Sequence, residues 1–173
     1  GITIEPSLGF VVNDQQRIAI IDLPGTYGLL PTSFDEELTV SVLNNQLSSI
    51  PKPSAIVFVM DATNFDKSLY LYSQVAELGL NMIIALTMVD GVKARSGVID
   101  DIALERLTGL TVIPIVGHKG IGVESLKEAI TNEHAWHKPN MPPAFEEIRD
   151  RVHWVKTISD TIIRMKEGDR LTQ

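Results

Sequence analysis

Apolar residues in this chain fall into short unbroken runs separated by stretches with helical spacing. Ile18-Ala19-Ile20-Ile21-Asp22, Ala55 to Asp61, Met82 to Asp90 and Thr111 to Val116 are continuous runs bounded by turn residues, the pattern of strands covered on both faces. Between them, Phe65 to Leu78 places Leu69, Tyr72, Val75 and Leu78 at helical intervals, and Gly79 stands where a helix would end. Asp100 to Leu107 and Val123 to Ile130 read as further helices. Buried strands alternating with amphipathic helices predict an α/β fold with a mostly parallel sheet.

The N-terminal part departs from that rhythm. Gly1-Ile2-Thr3-Ile4-Glu5 is extended and β-branched, Leu8 to Val12 continues as a strand, and the polar Asn13-Asp14-Gln15-Gln16 predicts a hairpin into Ile18–Asp22. Thr26 to Ser33 reads as a loop containing Gly and Pro. Asp35-Glu36-Glu37 then places acid at the start of a helix, where the dipole favours it. Leu38, Val42 and Leu47 are its expected inner face, and Pro51-Lys52-Pro53 ends it.

At Asn132 the composition changes. His134 to Pro143 is polar and contains prolines, so it reads as a linker. Phe145, Ile148, Val152, Val155, Ile158, Ile162 and Met165 then recur at steps of three and four, predicting one amphipathic helix with Trp154 beside the stripe and Gly168 at its end. Such a stripe packs on its own domain or on a partner helix. The division expected is a domain over residues 1–131 and a linker with a short helical extension over 132–173.

Composition narrows the function. A net charge of −7 and a pI near 5.0 disfavour a nucleic-acid surface, which needs clustered Lys and Arg. The chain has no cysteine, so disulfides and thiolate metal sites are excluded. His134 and His137 have no third ligand nearby in sequence and read as part of a solvated loop. No apolar run approaches the roughly 18 residues of a membrane span.

Chemistry concentrates where the apolar runs end. In Asp22-Leu23-Pro24-Gly25, a strand delivers a carboxylate able to hold Mg²⁺, and a glycine whose N–H can approach a terminal phosphate because it lacks a Cβ. Thr3 adds a hydroxyl for Mg²⁺ and an N–H for the same phosphate. Thr87-Met88-Val89-Asp90 supplies a carboxylate able to accept both the ring N–H and the exocyclic amine of guanine, a pairing that adenine does not satisfy. The N–H of Gly117, between Val116 and His118, is placed to donate to the guanine carbonyl. Each element alone is commonly structural; their joint order and spacing suggests a GTPase.

With Gly1 to Glu5, Asp22-Leu23-Pro24-Gly25-Thr26-Tyr27, Val59-Met60-Asp61-Ala62-Thr63-Asn64 followed by Leu69-Tyr70-Leu71, and Ala85 to Asp90, the chain resembles the G domain of the bacterial ferrous iron transport protein B family. The similarity covers about residues 1–130 and, more loosely, Arg149 to Lys156. It implies a Ras-like P-loop GTPase fold with a short C-terminal helical extension. It also implies slow hydrolysis of GTP to GDP with Mg²⁺, with K⁺ as a further helper. The partners implied are GTP and GDP, a membrane-embedded portion of the same transporter at the cytoplasmic face of the bacterial inner membrane, and further copies of the chain, but no nucleic acid.

The sequence departs from the family pattern in four places, one being a helical segment after Ile130 that is shorter than the family's usual helical domain. The guanine motif begins with Thr87 where the family usually has Asn, losing an amide that braces the loop. Val116-Gly117 replaces Ser-Ala, keeping the backbone donor and removing a hydroxyl, and His118 follows as a side chain placed to flank the ring or to remain solvated. No Gly-x-x-x-x-Gly-Lys-Ser/Thr occurs in the 173 residues, so the phosphate cradle is expected outside them. Its strand would lie between Ile18–Asp22 and Ile56–Asp61, leaving facing edges open. No side chain reads as a general base, which suits a reaction driven by positioning and charge stabilisation. Alternatives of other kinds are a non-catalytic interaction module working through the C-terminal helix and a GTPase of another branch, such as a ribosome-assembly factor, which the acidic charge disfavours.

Overall fold

A computed structural model of the chain describes residues 7–23, 34–44 and 50–166. β1 (Ser7–Val12) and β2 (Arg17–Asp22) form the expected antiparallel hairpin, with Ser7 opposite Asp22 and Val12 opposite Arg17. Asn13 sets its turn: the side-chain oxygen accepts from the N–H groups of Gln15 and Gln16 at 2.9 and 2.7 Å. Next comes α1 (Phe34–Leu43), whose Val42 is buried. The expected partner Leu47 lies outside the described residues, as does the side chain of Leu38.

β3 (Ala55–Asp61), β4 (Asn81–Thr87) and β6 (Val112–Pro114) make a parallel sheet in the order β3-β4-β6, with Asp61 opposite Thr87 and Leu86 opposite Pro114. Met82 to Leu86 are all 1% exposed or less, which explains why this strand carries no polar alternation. Met82, Ile84 and Leu86 join Phe58, Met60, and Leu69 and Tyr72 of α2 (Phe65–Ala76) in one core. Each large side chain buried there contributes about 1.5–3 kcal/mol relative to exposure. Burial also pushes the Tyr72 phenol above its usual range. α5 (Val123–Thr131) contacts both β4 and β1 and so ties the hairpin to the sheet. Among the described residues β2 pairs only with β1, and β3 pairs only with β4, so each keeps one edge without a partner strand there.

Several boundaries differ from the sequence reading. The third buried run stops being a strand at Thr87 because Met88 takes a left-handed conformation (φ 60°), and Asp90 lies on the short helix α3 (Val89–Ala94). The run from Thr111 to Val116 is strand only over β6. The helix α4 (Asp101–Thr108) starts where the Asp100 carboxylate accepts from the Ala103 N–H at 2.9 Å. Leu78, expected on the inner face of α2, is 38% exposed because the helix has already ended.

The segment read as a linker is stitched down. The Met82 N–H donates to the His137 carbonyl at 2.8 Å, the Asn140 N–H to the Thr108 carbonyl at 2.8 Å, and the Trp136 indole to the Ile130 carbonyl at 3.0 Å. The C-terminal helix α6 covers Ile148–Ile162 rather than beginning at Phe145, since the Asp150 carboxylate accepts from the Glu147 N–H at 3.2 Å and fixes the first turn there. It also ends early: Ile163–Arg164 form a strand, β7, antiparallel to β5 (Val98–Ile99). Val155 and Ile162 of α6 enter the sheet's own core, whereas Ile148 and Val152 of the same apolar stripe remain 67% and 52% exposed. Gly168 lies outside the described residues.

Candidate nucleotide site

Parallel strands bring their C-terminal ends to one edge of the sheet, and the loops that leave β4 and β6 meet there. Thr87, the last residue of β4, donates its hydroxyl to the Met60 carbonyl of β3 at 3.3 Å. That bond ties the loop to the neighbouring strand, part of the bracing that the sequence reading assigned to an Asn amide. Met88 is 47% exposed and turns the chain, so that α3 begins at once and carries Asp90. After β6, Val116 is buried, and its N–H donates to the Ile121 carbonyl at 3.0 Å. Its carbonyl accepts from the Lys119 N–H at 3.0 Å, so Val116 shapes the loop through its backbone. Gly117 opens a single 3-10 turn, and His118 on that turn places Nε2 3.8 Å from Asp90 Oδ2. The structure thus brings Thr87, Met88, Asp90 and the Gly117–His118 turn together from two separate loops.

The other strand-end acid is occupied structurally. One oxygen of Asp61 accepts both the Thr63 N–H at 2.8 Å and the Thr63 hydroxyl at 2.7 Å, which locks the 3-10 turn Ala62–Asn64. The short spacing Asp-x-Thr after an apolar run was a signal for this turn. Asp22 ends β2 and is exposed; Thr3 and Gly25, expected beside it, lie outside the described residues. No group of three or more acidic or histidine side chains able to hold a metal occurs among the described residues, His134 and His137 included. A nucleotide-bound Mg²⁺ needs no such cluster, because phosphate oxygens and water fill most of its shell. Asp22 fits such a site as one exposed carboxylate.

A cleft of about 370 Å³ lies elsewhere, between the Ala62–Asn64 turn, α3 and α6; Asp90 and His118 do not line it. The contact that sequence reasoning missed is between α6 and α2. Arg151 donates to Ser73 Oγ at 2.7 Å and to Glu77 Oε1 at 2.9 Å, and its guanidinium lies 4.7 Å from the Phe145 ring centroid.

Residues 1–130 match the sequence model of the family described as ferrous iron transport protein B. The chain belongs to that family. An FeoB fusion protein of Porphyromonas gingivalis, named as an Fe(2+) transport protein A/Fe(2+) transporter FeoB fusion, is 36% identical over 134 residues, covering 78% of this chain and 15% of that protein. The cytosolic domain of Legionella pneumophila FeoB superposes with a TM-score of 0.72 at 33% identity, over 86% of this chain and 57% of that one. The GDP form I of the T. maritima FeoB cytosolic domain gives 0.70 at 30%, over 86% and 56%. The fold is accordingly the Ras-like fold of FeoB G domains. The chain spans about a sixth of the length of the curated FeoB relatives it matches. No helix among its described residues is long and apolar enough to cross a membrane.

Proposed function

We propose that this chain is the nucleotide-binding part of a ferrous iron transporter, which binds GTP and hydrolyses it slowly to GDP and so regulates Fe²⁺ uptake. The observation that carries the reading is the meeting of Asp90 with the Gly117–His118 turn at the C-terminal edge of a parallel sheet. Asp90 accepts the ring N–H and the exocyclic amine of guanine. The Gly117 N–H donates to the guanine carbonyl, and Met88 and His118 flank the ring. A Cβ built on Gly117 would meet nothing within 4 Å beyond its chain neighbours, so this face of the turn is open. Thr87 and the backbone of Val116 shape the loops.

At the other end of the nucleotide, Thr3 and Asp22 hold Mg²⁺ and the Gly25 N–H meets the terminal phosphate. Mg²⁺, when bound, neutralises charge on the phosphates, and K⁺ assists in the same sense. The phosphate cradle is not among these residues, and turnover depends on it. Residues 1–131 form the G domain; 132–173 lead toward a membrane-embedded portion, which places the chain at the cytoplasmic face of the inner membrane. The names of the relatives support the transporter assignment. Assembly into homo-oligomers belongs to the same reading.

The test is titration of the protein with fluorescent GDP, competed with unlabelled GDP and ADP. Displacement by GDP alone is expected, and Asp90→Asn should shift preference toward xanthosine diphosphate, whose ring offers an acceptor where guanine offers an amine. Equal competition by ADP, or an Asp90→Asn variant that keeps the parent's preference, would overturn the assignment.

A further inference from the structure

Asp90 reads a base only if α3 holds it at a fixed height and angle, since a hydrogen bond weakens steeply once its geometry is lost. α3 is short, and its first turn follows a left-handed residue, so its own backbone hydrogen bonds do little to anchor it. Its contact with the Ala62–Asn64 turn supplies a support from outside. Asp61 fixes that turn by holding both the N–H and the hydroxyl of Thr63 on one carboxylate oxygen. With the hydroxyl tied back, the Thr63 side chain has one rotamer, and its methyl group faces α3 at Gly91, next to Asp90. A β-carbon built on Gly91 would stand 2.8 Å from Thr63 Cγ2, closer than carbon atoms approach, whereas the Met88 side chain is 4.0 Å away. The glycine at this position is therefore a seat for one methyl group.

We infer that Thr63, locked by Asp61 and seated on Gly91, is a positioning residue for guanine recognition: it sets where Asp90 meets the base. Thr63 acts only through α3 and touches neither phosphate nor ring. The inference rests on the assignment of Asp90 as the guanine reader, and it adds a selectivity role for a turn that leaves a different strand. It implies that a methyl group can stand on either side of the contact, but not on both and not on neither, because interiors tolerate volume-conserving exchanges best.

The experiment measures affinity for GDP and for inosine diphosphate, which lacks the exocyclic amine, on the parent protein, Gly91→Ala, Thr63→Ser, and the double variant. Gly91→Ala adds a methyl group and should weaken GDP binding roughly tenfold, the scale of one impaired hydrogen bond to a charged group, and bring the two ligands closer in affinity. Thr63→Ser keeps the bonds to Asp61 but removes the methyl, and should weaken GDP about threefold. The double variant moves the methyl from one side to the other and should return to within about twofold of the parent, a non-additivity expected only of groups in contact. Thermal melts check folding; if Gly91→Ala alone does not fold, Thr63→Ser and the double variant still carry the comparison.

A Gly91→Ala protein that is folded and discriminates like the parent, or a double variant no better than its weaker single, overturns the inference. Asp90→Asn run alongside separates the two levels. If it fails to redirect the base, the functional reading itself is wrong; if it succeeds while the methyl exchange has no effect, only the role of Thr63 is lost. A parent protein that carries the phosphate cradle and still ignores GDP refutes both.

Discussion

Replacing Arg151 with alanine tests whether α6 is held to the domain by one residue. Its side chain is only 14% exposed and makes three kinds of contact with α2 and the segment before α6. The hydrogen bond to Ser73 Oγ is short (2.7 Å) and charged on one side, and contributes about 1.5 kcal/mol. The ion pair with Glu77, which is 47% exposed, adds at most about 1 kcal/mol. Stacking over Phe145 at 4.7 Å, with Tyr70 farther at 5.9 Å, adds about 0.5–1 kcal/mol. Removal is not made worse by an orphaned donor, because the Ser73 hydroxyl still donates to the Tyr70 carbonyl at 2.6 Å, and Glu77 relaxes into water. The expected loss is about 2–3 kcal/mol. For a chain of this length that lowers the melting temperature by roughly 5–10 °C. Urea unfolding followed by circular dichroism measures it. Arg151→Met separates the terms: the apolar stem remains and the guanidinium contacts go, so most of the loss should persist. A loss below about 0.5 kcal/mol for Arg151→Ala would refute the clamp, and an Arg151→Met protein as stable as the parent would refute its polar part.

Other positions make sharper single statements. Gly122 has φ +84° and a Cβ there would strike the Pro114 carbonyl, so Gly122→Ala should cost at least about 2 kcal/mol in denaturant unfolding, through strain and loss of the Val116–Ile121 bridge. The Tyr72 hydroxyl is buried and has no partner among the described residues; Tyr72→Phe should be neutral or stabilising by about 1 kcal/mol, and a clear loss would show a bond unaccounted for. Because burial raises the Tyr72 pKa, the unfolded chain releases that proton first, and stability should fall as pH rises above 10.0, its ordinary value, with the Tyr72 share of the phenolate absorbance, read as the difference from Tyr72→Phe, appearing only on unfolding. Thr87→Asn restores the amide that the family usually carries and should tighten GDP binding about threefold to tenfold in the same titration; no change would mean that the Thr87–Met60 bond already does all of the bracing.

The sequence alone determined the elements whose signal is local. Continuous apolar runs and helical spacing were enough for β3, β4 and α2, because a strand covered on both faces admits no polar residue and a half-buried helix must repeat every three or four. The order of chemical groups at the strand ends was legible too, since parallel strands joined by helices point the same way. Tertiary structure decided what depends on distant partners. It ended β4 at the left-handed Met88 and put Asp90 on a helix facing His118, 28 positions further along. It gave one carboxylate oxygen of Asp61 to both the N–H and the hydroxyl of Thr63. It pinned the presumed linker to β4 through the His137 carbonyl, and stopped α6 where Ile163 found Ile99. Periodicity shows that a residue will be buried or exposed; it does not show which segment, tens of residues away, will satisfy the backbone groups it leaves open.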